Sequence, residues 1–81
     1  MEHPLDVSQL EPPEPMERIL GKLDELKAGD FLSVTHRREP FPLYPLIEQD
    51  GFRWRCIEES PALFRIYIWR VHDLRAEQLI P

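Results

Sequence analysis

The side chains in this chain that could perform chemistry are few: one cysteine and three histidines among 81 residues. A thiolate is a nucleophile and a metal ligand, and histidine is a general base and a metal ligand. Cys56 alternates with two aromatic residues, which predicts a small buried hydrophobe within a strand. His3, His36 and His72 show no local ligand spacing, either with one another or with Cys56. The sequence therefore predicts no catalytic residues, no metal site and no cofactor.

The most unusual spacing is that of three prolines beside two acids in "LEPPEPMERIL", residues 10–20, directly before an amphipathic run. Proline fixes φ and lacks an N–H, so it is tolerated in the first helical turn, where N–H groups have no intrahelical partner. Pro13 and Pro15 fit that turn. Because the residue before a proline avoids the helical conformation, the regular helix is predicted to start as late as Pro15. The stretch predicts a stiff helix entrance, with acids where the helix dipole favours them.

Apolar spacing along the chain predicts a β-α-β-α-β-β order. The connection between the first two strands should be right-handed with the strands parallel, and the short last turn makes an antiparallel hairpin. The fold class is α+β, a two-layer α/β sandwich with a mixed four-stranded sheet and two helices on one face. The predicted strands are residues 4–10, 30–36, 52–59 and 63–71. The first predicted helix has its apolar face from Met16 to Leu26 and ends at Gly29. The second has Leu43, Leu46 and Ile47 inward and ends at Gly51.

The last residues, 72–81, are predicted to form a tail or one loose helical turn. The sequence therefore predicts one domain, residues 1–71, followed by this C-terminal tail. No predicted element is left to cover the second face of the sheet.

Composition argues against several classes of function. A net charge of −5 disfavours a dedicated nucleic-acid binder, which needs a clustered cationic surface. One cysteine cannot form an internal disulfide, so we expect a reducing compartment and a cytoplasmic protein. No N-terminal stretch has the pattern of a signal peptide, and no apolar run approaches the ~18 residues of a membrane span.

Residues 4–70 resemble the TusA-like (SirA-like) sulfur-carrier superfamily. That family has a Leu-x-Cys-Pro-x-Pro entrance to its first helix, a Leu-x-x-Leu-x-x-Gly helix end, and a Pro-containing second helix that ends in glycine. "EPPEPMERIL" and "HRREPFPLYPLIEQDGF" look closer still to a domain-of-unknown-function branch of small prokaryotic proteins or modules, some attached to hemerythrin-like domains. The resemblance implies the strand order 1-2-4-3, with strand four antiparallel. The residues that match are Leu10, Pro13, Pro15, Leu23, Leu26, Gly29 and Gly51.

The sulfur-carrying cysteine of that family would be residue 12, which is Pro12 in this chain. A thiol at a helix N-terminus has a lowered pKa and can carry persulfide sulfur, whereas proline has no nucleophile. The resemblance therefore implies the fold and the general location of a functional surface. A persulfide carrier related to tRNA thiolation is kept as an alternative function.

Two surfaces are candidate binding sites. In open α/β sheets, ligands bind beyond the carboxyl ends of parallel strands. At that rim the sequence brings together Glu11, Pro12, Pro13, Glu14, His36, Arg37, Arg38, Glu39 and Pro40. The uncovered sheet face carries arginines interleaved with aromatic residues, which suit protein contacts or base stacking: Arg53, Arg55, Arg65, Tyr67 and Trp69. The competing interpretations are a solvated rim of caps and charge pairs, and arginine stems that lie over aromatic rings in water.

We expect a non-catalytic binding or adaptor module that contacts another protein, or a second copy of itself, through the rim, the sheet face or both. Nucleic acid and membrane are not expected as partners, and an RNA-binding sheet is the remaining alternative. Trp69 is expected to be partly exposed, and Trp69→Ala to weaken association while leaving the fold largely intact.

Overall fold

The computed structural model describes residues 1–81 and contains one four-stranded sheet. The elements in chain order are β1 (Glu2–Asp6), α1 (Glu14–Leu23), β2 (Phe31–His36), α2 (Leu43–Gln49), β3 (Phe52–Ser60), β4 (Leu63–Arg70) and α3 (Leu74–Leu79). The strand order is β1-β2-β4-β3, with β1 parallel to β2, and β4 antiparallel to both of its neighbours. This confirms the predicted fold class and strand order. None of the helices combines the length and the apolar character that a membrane crossing requires.

Prolines precede α1 and α2, and a glycine follows the end of α2. α1 starts at Glu14, one residue before the predicted start, with Pro13 as its N-cap and Pro15 in its first turn. Gly29 and Gly51 have φ of +87° and +86°, in the left-handed region that glycine enters without a side-chain clash. Gly51 directly follows the C-cap of α2, as the sequence predicts. The predicted end of the first helix at Gly29 is wrong, because α1 ends at Leu23 with Asp24 as its C-cap, and Gly29 lies in the turn before β2.

The first strand lies earlier in the chain than the predicted 4–10. β1 ends at Asp6 because its carboxylate Oδ1 accepts hydrogen bonds from both the backbone N–H and the hydroxyl of Ser8, at 2.9 and 2.6 Å. An aspartate that bonds the backbone two residues on starts a turn. Val7 is nevertheless buried, and its N–H donates to the Thr35 carbonyl.

The prediction that the side chain of Leu46 in α2 points inward is wrong. Leu46 is 41 % exposed, whereas Leu43, Tyr44 and Ile47 are buried. The ring of Tyr44 stacks on that of Trp54, with centroids 4.6 Å apart and planes 9° apart. This aromatic pair fills the space between α2 and β3, which turns Leu46 toward solvent.

The main core lies between the sheet and helices α1 and α2. The alternation predicted for the two hairpin strands is correct, because Ile66 and Ile68 are buried there and Cys56 packs against them. The buried side chains of this core are Val7, Ile19, Leu23, Leu26, Leu32, Val34, Leu43, Tyr44, Ile47, Phe52, Ile66 and Ile68.

The second face of the sheet is covered, contrary to the prediction. α3 packs on it and buries Phe31, Tyr67, Trp69 and Ala76, with Ile80 against them. Trp69 is only 7 % exposed, so the expectation of a partly exposed indole is wrong. The strand phase that assigned Tyr67 and Trp69 to this face is correct; the covering helix is what the sequence reasoning missed.

One aspartate anchors α3 to the sheet. Asp73 Oδ1 accepts from the Ala76 N–H at 3.1 Å, and Oδ2 accepts from the Gly29 N–H at 2.8 Å. Trp69 Nε1 donates to Glu77 Oε1 at 3.3 Å. Much of residues 72–81 is therefore a short capped helix held on the sheet, in place of the predicted loose tail.

Candidate functional site

A groove of about 350 Å³ lies between the start of α1 and the loop that follows β2. We call it the entrance groove. Proline rings have fixed φ and no N–H, so they form stiff walls without backbone donors. Five prolines line it: Pro12, Pro13, Pro15, Pro40 and Pro42. The sequence reasoning brought Pro12, Pro13 and Pro40 to this rim, and the structure adds Pro15 and Pro42.

The remaining lining residues divide into an apolar part and a polar part. Leu10, Met16, Ile19 and Leu43 supply the apolar side chains. The polar part is the run from His36 to Glu39. The spacing of prolines in "EPFP" after the second strand was the signal that could have identified the second wall, since it repeats the crowding of prolines at the helix entrance.

His36 forms the buried polar end of the groove. Its side chain lies on the helix-covered side of β2, and the residue is 7 % exposed. Nδ1 accepts a hydrogen bond from the Arg38 N–H at 3.3 Å, which assigns the ring proton to Nε2. Burial, followed by the positive charges of Arg38 and Arg37, lowers the pKa of His36. The imidazole is therefore neutral at pH 7.

The two arginines of the rim differ in their partners. Arg37 Nη2 lies 3.1 Å from Glu11 Oε1 and is neutralised by it. Arg38 takes part in none of the ion pairs in the structure and is exposed. Glu14, which was also assigned to this rim, instead pairs with Arg18 on the outer side of α1 and does not line the groove. The groove thus has one guanidinium without a carboxylate partner.

The thiol of Cys56 lies beside Tyr44 and Glu39, near the groove, and is unreactive in this environment. Tyr44 Oη donates to Glu39 Oε2 at 2.9 Å, and the Cys56 thiol lies in the same contact. Burial raises the pKa of Cys56; the hydrogen bond with Tyr44 lowers it, and the charge of Glu39 raises it further. The thiol therefore stays protonated at neutral pH. No cluster of three or more His, Cys, Asp or Glu side chains is arranged to hold a metal ion.

The residues that the sequence assigned to the second sheet face fall into two groups, one buried and one accessible. Tyr67 and Trp69 are buried under α3. Arg53 and Arg55 are exposed along β3, and Arg55 Nη1 donates to the Pro81 carbonyl at 2.7 Å. Arg65 is half-buried, with its Nε 3.3 Å from a carboxylate oxygen of Glu59. The accessible part of this face is therefore cationic, and its aromatic part is enclosed.

Comparison with known proteins gives a family. No curated protein and no solved structure matches the chain. A family model described as "Uncharacterized conserved protein (DUF2249)" matches residues 4–70. That range runs from within β1 to the end of β4 and contains every residue of the entrance groove, whereas α3 lies outside it. Because the match spans well over half of the chain, this protein belongs to the DUF2249 family.

Proposed function

We propose that this protein is a non-catalytic binding module whose entrance groove takes an extended segment of another protein, with apolar side chains followed by a carboxylate. The observation that carries the proposal is the combination of a proline-walled apolar groove with the unpaired guanidinium of Arg38 at its rim. The volume of about 350 Å³ lies within the ~300–1,000 Å³ range of ligand pockets and suits one or two side chains.

The walls favour an apolar occupant. Proline rings have little conformational freedom to lose, so ordering the groove on binding costs less than ordering flexible side chains. Met16 supplies the adaptable part of the surface, because its unbranched thioether fills irregular gaps. Burial of apolar area contributes about 25 cal/mol per Å² before the costs of association are subtracted.

The charges favour an acidic group beside the apolar one. A guanidinium binds a carboxylate through two parallel N–H···O bonds, which fixes orientation as well as adding affinity. Arg37 is occupied by Glu11, so Arg38 is the donor with free capacity. His36 is neutral at pH 7, and its protonation on acidification would add a second free positive charge to the groove.

Two other functions have less support. A persulfide carrier would need a nucleophile where this chain has Pro12, and the raised pKa of Cys56 does not suit it for that role. An RNA-binding sheet would need exposed rings for base stacking, whereas Tyr67 and Trp69 lie under α3. We further propose that the chain is a TusA-like homologue that works in the cytoplasm of a prokaryote. Its entrance motif and its single cysteine support this assignment.

The proposal is tested with an immobilised peptide array in which two apolar residues precede Asp or Glu, beside a matched array with Lys in place of the acid. We expect binding to the acidic array only. Peptides that bind should shift the amide NMR signals of Met16, Ile19, His36 and Arg38 in the labelled protein. Arg38→Glu should abolish binding, and Arg18→Glu, with the same charge change elsewhere on the surface, should not.

Two results would contradict the proposal. One is equal binding to the acidic and basic arrays. The other is a set of shifted signals that lies outside the entrance groove. The sulfur-carrier alternative is tested separately by mass spectrometry after incubation with a cysteine desulfurase and cysteine, for which we expect no persulfide on Cys56.

A further inference from the structure

The two edges of the sheet differ in how much unpaired backbone they expose. β1 is five residues long and contains Pro4, which has no N–H to donate. β3 is nine residues long, contains no proline, and pairs only with β4. Short strands and prolines are two of the features that block the addition of another strand to an edge. The β1 edge has both of them and the β3 edge has neither; β3 instead carries charged side chains and an irregularity between Glu58 and Ser60.

The pairing of β3 with β4 determines which backbone groups of β3 stay free. The Val71 N–H donates to the Gly51 carbonyl at 2.8 Å, in line with the register in which Phe52 is opposite Arg70. In an antiparallel ladder, residues bonded to the neighbouring strand alternate with residues whose groups point away from it. The N–H and C=O groups that point toward the open edge therefore belong to Phe52, Trp54, Cys56 and Glu58.

The charges along β3 favour antiparallel pairing with the β3 strand of a second copy. Arg53 and Arg55 lie in the first half of β3, whereas Glu58 and Glu59 lie in the second half. When two copies of the strand run antiparallel, the first half of each lies beside the second half of the other. In a register centred on Cys56, the free N–H and C=O groups of one β3 strand lie opposite the free N–H and C=O groups of the other. A register centred on Arg55 would bring two guanidinium groups together.

We propose that β3 is a dimerisation edge: two copies pair their β3 strands antiparallel about a two-fold axis at Cys56 and form one continuous sheet. Arg53 of each copy then lies opposite Glu59 of the other, whereas Glu58 lies on the other face of the sheet, opposite Trp54. Ile57, which is 37 % exposed in the single chain, comes to lie beside the apolar stem of Arg55 of the second copy. The irregularity between Glu58 and Ser60 ends the regular ladder, as strand bulges do at sheet edges.

A second concavity supports this register. It has a volume of about 470 Å³ and borders the beginning of β3, from Gly51 to Trp54, with Glu48 and Trp69 at its sides. In the register centred on Cys56, the hairpin turn of the second copy, residues 61 and 62, lies beside this concavity. The strand pairing and the shape of the surface therefore point to the same arrangement.

The dimer leaves both entrance grooves accessible, because no residue of β3 lines the groove. The dimer then carries two identical grooves, and for a partner with two segments that reach both of them the second binding event is intramolecular, which raises the overall affinity. Dimerisation does not rest on the function proposed for the groove and is tested without any ligand.

A charge-swap experiment with the full chain tests the pairing. By sedimentation velocity at low salt, we expect the native protein to dimerise reversibly. Arg53→Glu/Arg55→Glu and Glu58→Arg/Glu59→Arg should each raise the dimer dissociation constant about tenfold or more, because residues 53 and 59 of the two copies then face each other with like charges. An equimolar mixture of the two variants should restore the dimer. Arg18→Glu/Lys27→Glu, with a matched charge change on exposed residues away from β3, should dimerise as the native protein does.

Amide hydrogen exchange on the native protein tests the backbone contacts, even if a variant folds poorly. As protein concentration rises, exchange should slow at Trp54, Cys56 and Glu58, and should not change at Arg53 and Arg55, which already donate to β4. A protein that is monomeric at about 1 mM overturns the proposal, since its dissociation constant would exceed that value. A dimer in which the outward amides exchange as fast as in the monomer also overturns it.

Discussion

The two faces of the sheet are built from the same strands by different means. On the side of α1 and α2, twelve buried side chains form a continuous core. On the other side, three buried side chains of the sheet lie under the six-residue α3, which contributes the buried Ala76 and is held in place by one aspartate. Neighbours along β4 such as Ile66 and Tyr67 therefore belong to cores of very different size. The comparison teaches that strand alternation assigns residues to a face, whereas burial of that face depends on a separate element.

The larger core should control the stability of the whole domain. Ile66 is fully buried there, so Ile66→Ala removes buried methyl and methylene groups and leaves a cavity between the sheet and the helices. We expect the free energy of unfolding to fall by about 3 kcal/mol, which is within the usual range for such truncations. Urea denaturation followed by far-UV circular dichroism measures it. A loss below about 1 kcal/mol would mean that this core repacks around the change.

The smaller core should open locally when α3 loses its anchor. Asp73→Ala removes the acceptor of the Ala76 and Gly29 N–H groups, so we expect α3 to detach while the rest of the fold survives. The expected decrease in Tm is about 5 °C, the size typical of a lost helix cap. On a Trp54→Phe background, the emission of Trp69 should shift to longer wavelength as the indole becomes exposed. Unchanged emission would show that α3 stays on the sheet without its cap.

Acid should weaken the two faces in different pH ranges. The pKa of His36 is lowered in the folded state, so below about pH 6.5 the unfolded chain binds more protons and the stability of the fold decreases. The pKa of Asp73 is lowered by its hydrogen bonds from Gly29 and Ala76, so its contribution is present above about pH 4 and is lost at lower pH.

His36→Asn tests the upper of these ranges. The side-chain oxygen of asparagine can still accept from the Arg38 N–H, but it does not titrate. We expect the native protein to lose a few degrees of Tm between pH 7 and pH 5, and the variant to lose less. If both proteins lose the same amount, His36 is not the group responsible.

The smallest effect is expected for a substitution that keeps the hydrogen bond between Trp69 and α3 but removes the charge of the acceptor. Glu77→Gln leaves an oxygen that can accept from Trp69 Nε1, so the loss should be about 0.5 kcal/mol or less. Urea denaturation of the variant beside the native protein measures it. A loss comparable to that of Asp73→Ala would mean that Glu77, and not the cap, holds α3 on the sheet.

The fold was predictable where local patterns determine it. The strict alternation around Cys56 and Ile66 gave the correct strands and the correct faces. The prolines before α1 and Gly51 after α2 predicted those two helix boundaries closely, whereas Gly29 did not predict the end of α1 at Leu23. Both patterns are local, because they reflect the period of a strand and the conformations that single residues allow.

The coverage of the second face was not predictable in the same way. α3 is short, and its stability depends on the contact of Asp73 with Gly29, which is 44 residues away. The inward turn of Tyr44 in place of Leu46 likewise depends on stacking against Trp54 from another element. For the entrance groove, the prolines and the arginines of the rim were predictable from the sequence. The pairing of Arg37 with Glu11, which leaves Arg38 free, was not predictable.

β4 is the last strand of the chain and lies between β2 and β3 within the sheet. This order affects the protein while it is being synthesised. Until residues 63–70 have left the ribosome, β3 has no strand to pair with, and β2 is paired on one side only. β3 and β4 are joined by a two-residue turn, so they can form a hairpin locally before β4 docks on β2. The nascent chain therefore exposes a long unpaired β3 until residues 63–70 have emerged, and the four-stranded sheet is completed in one step after that.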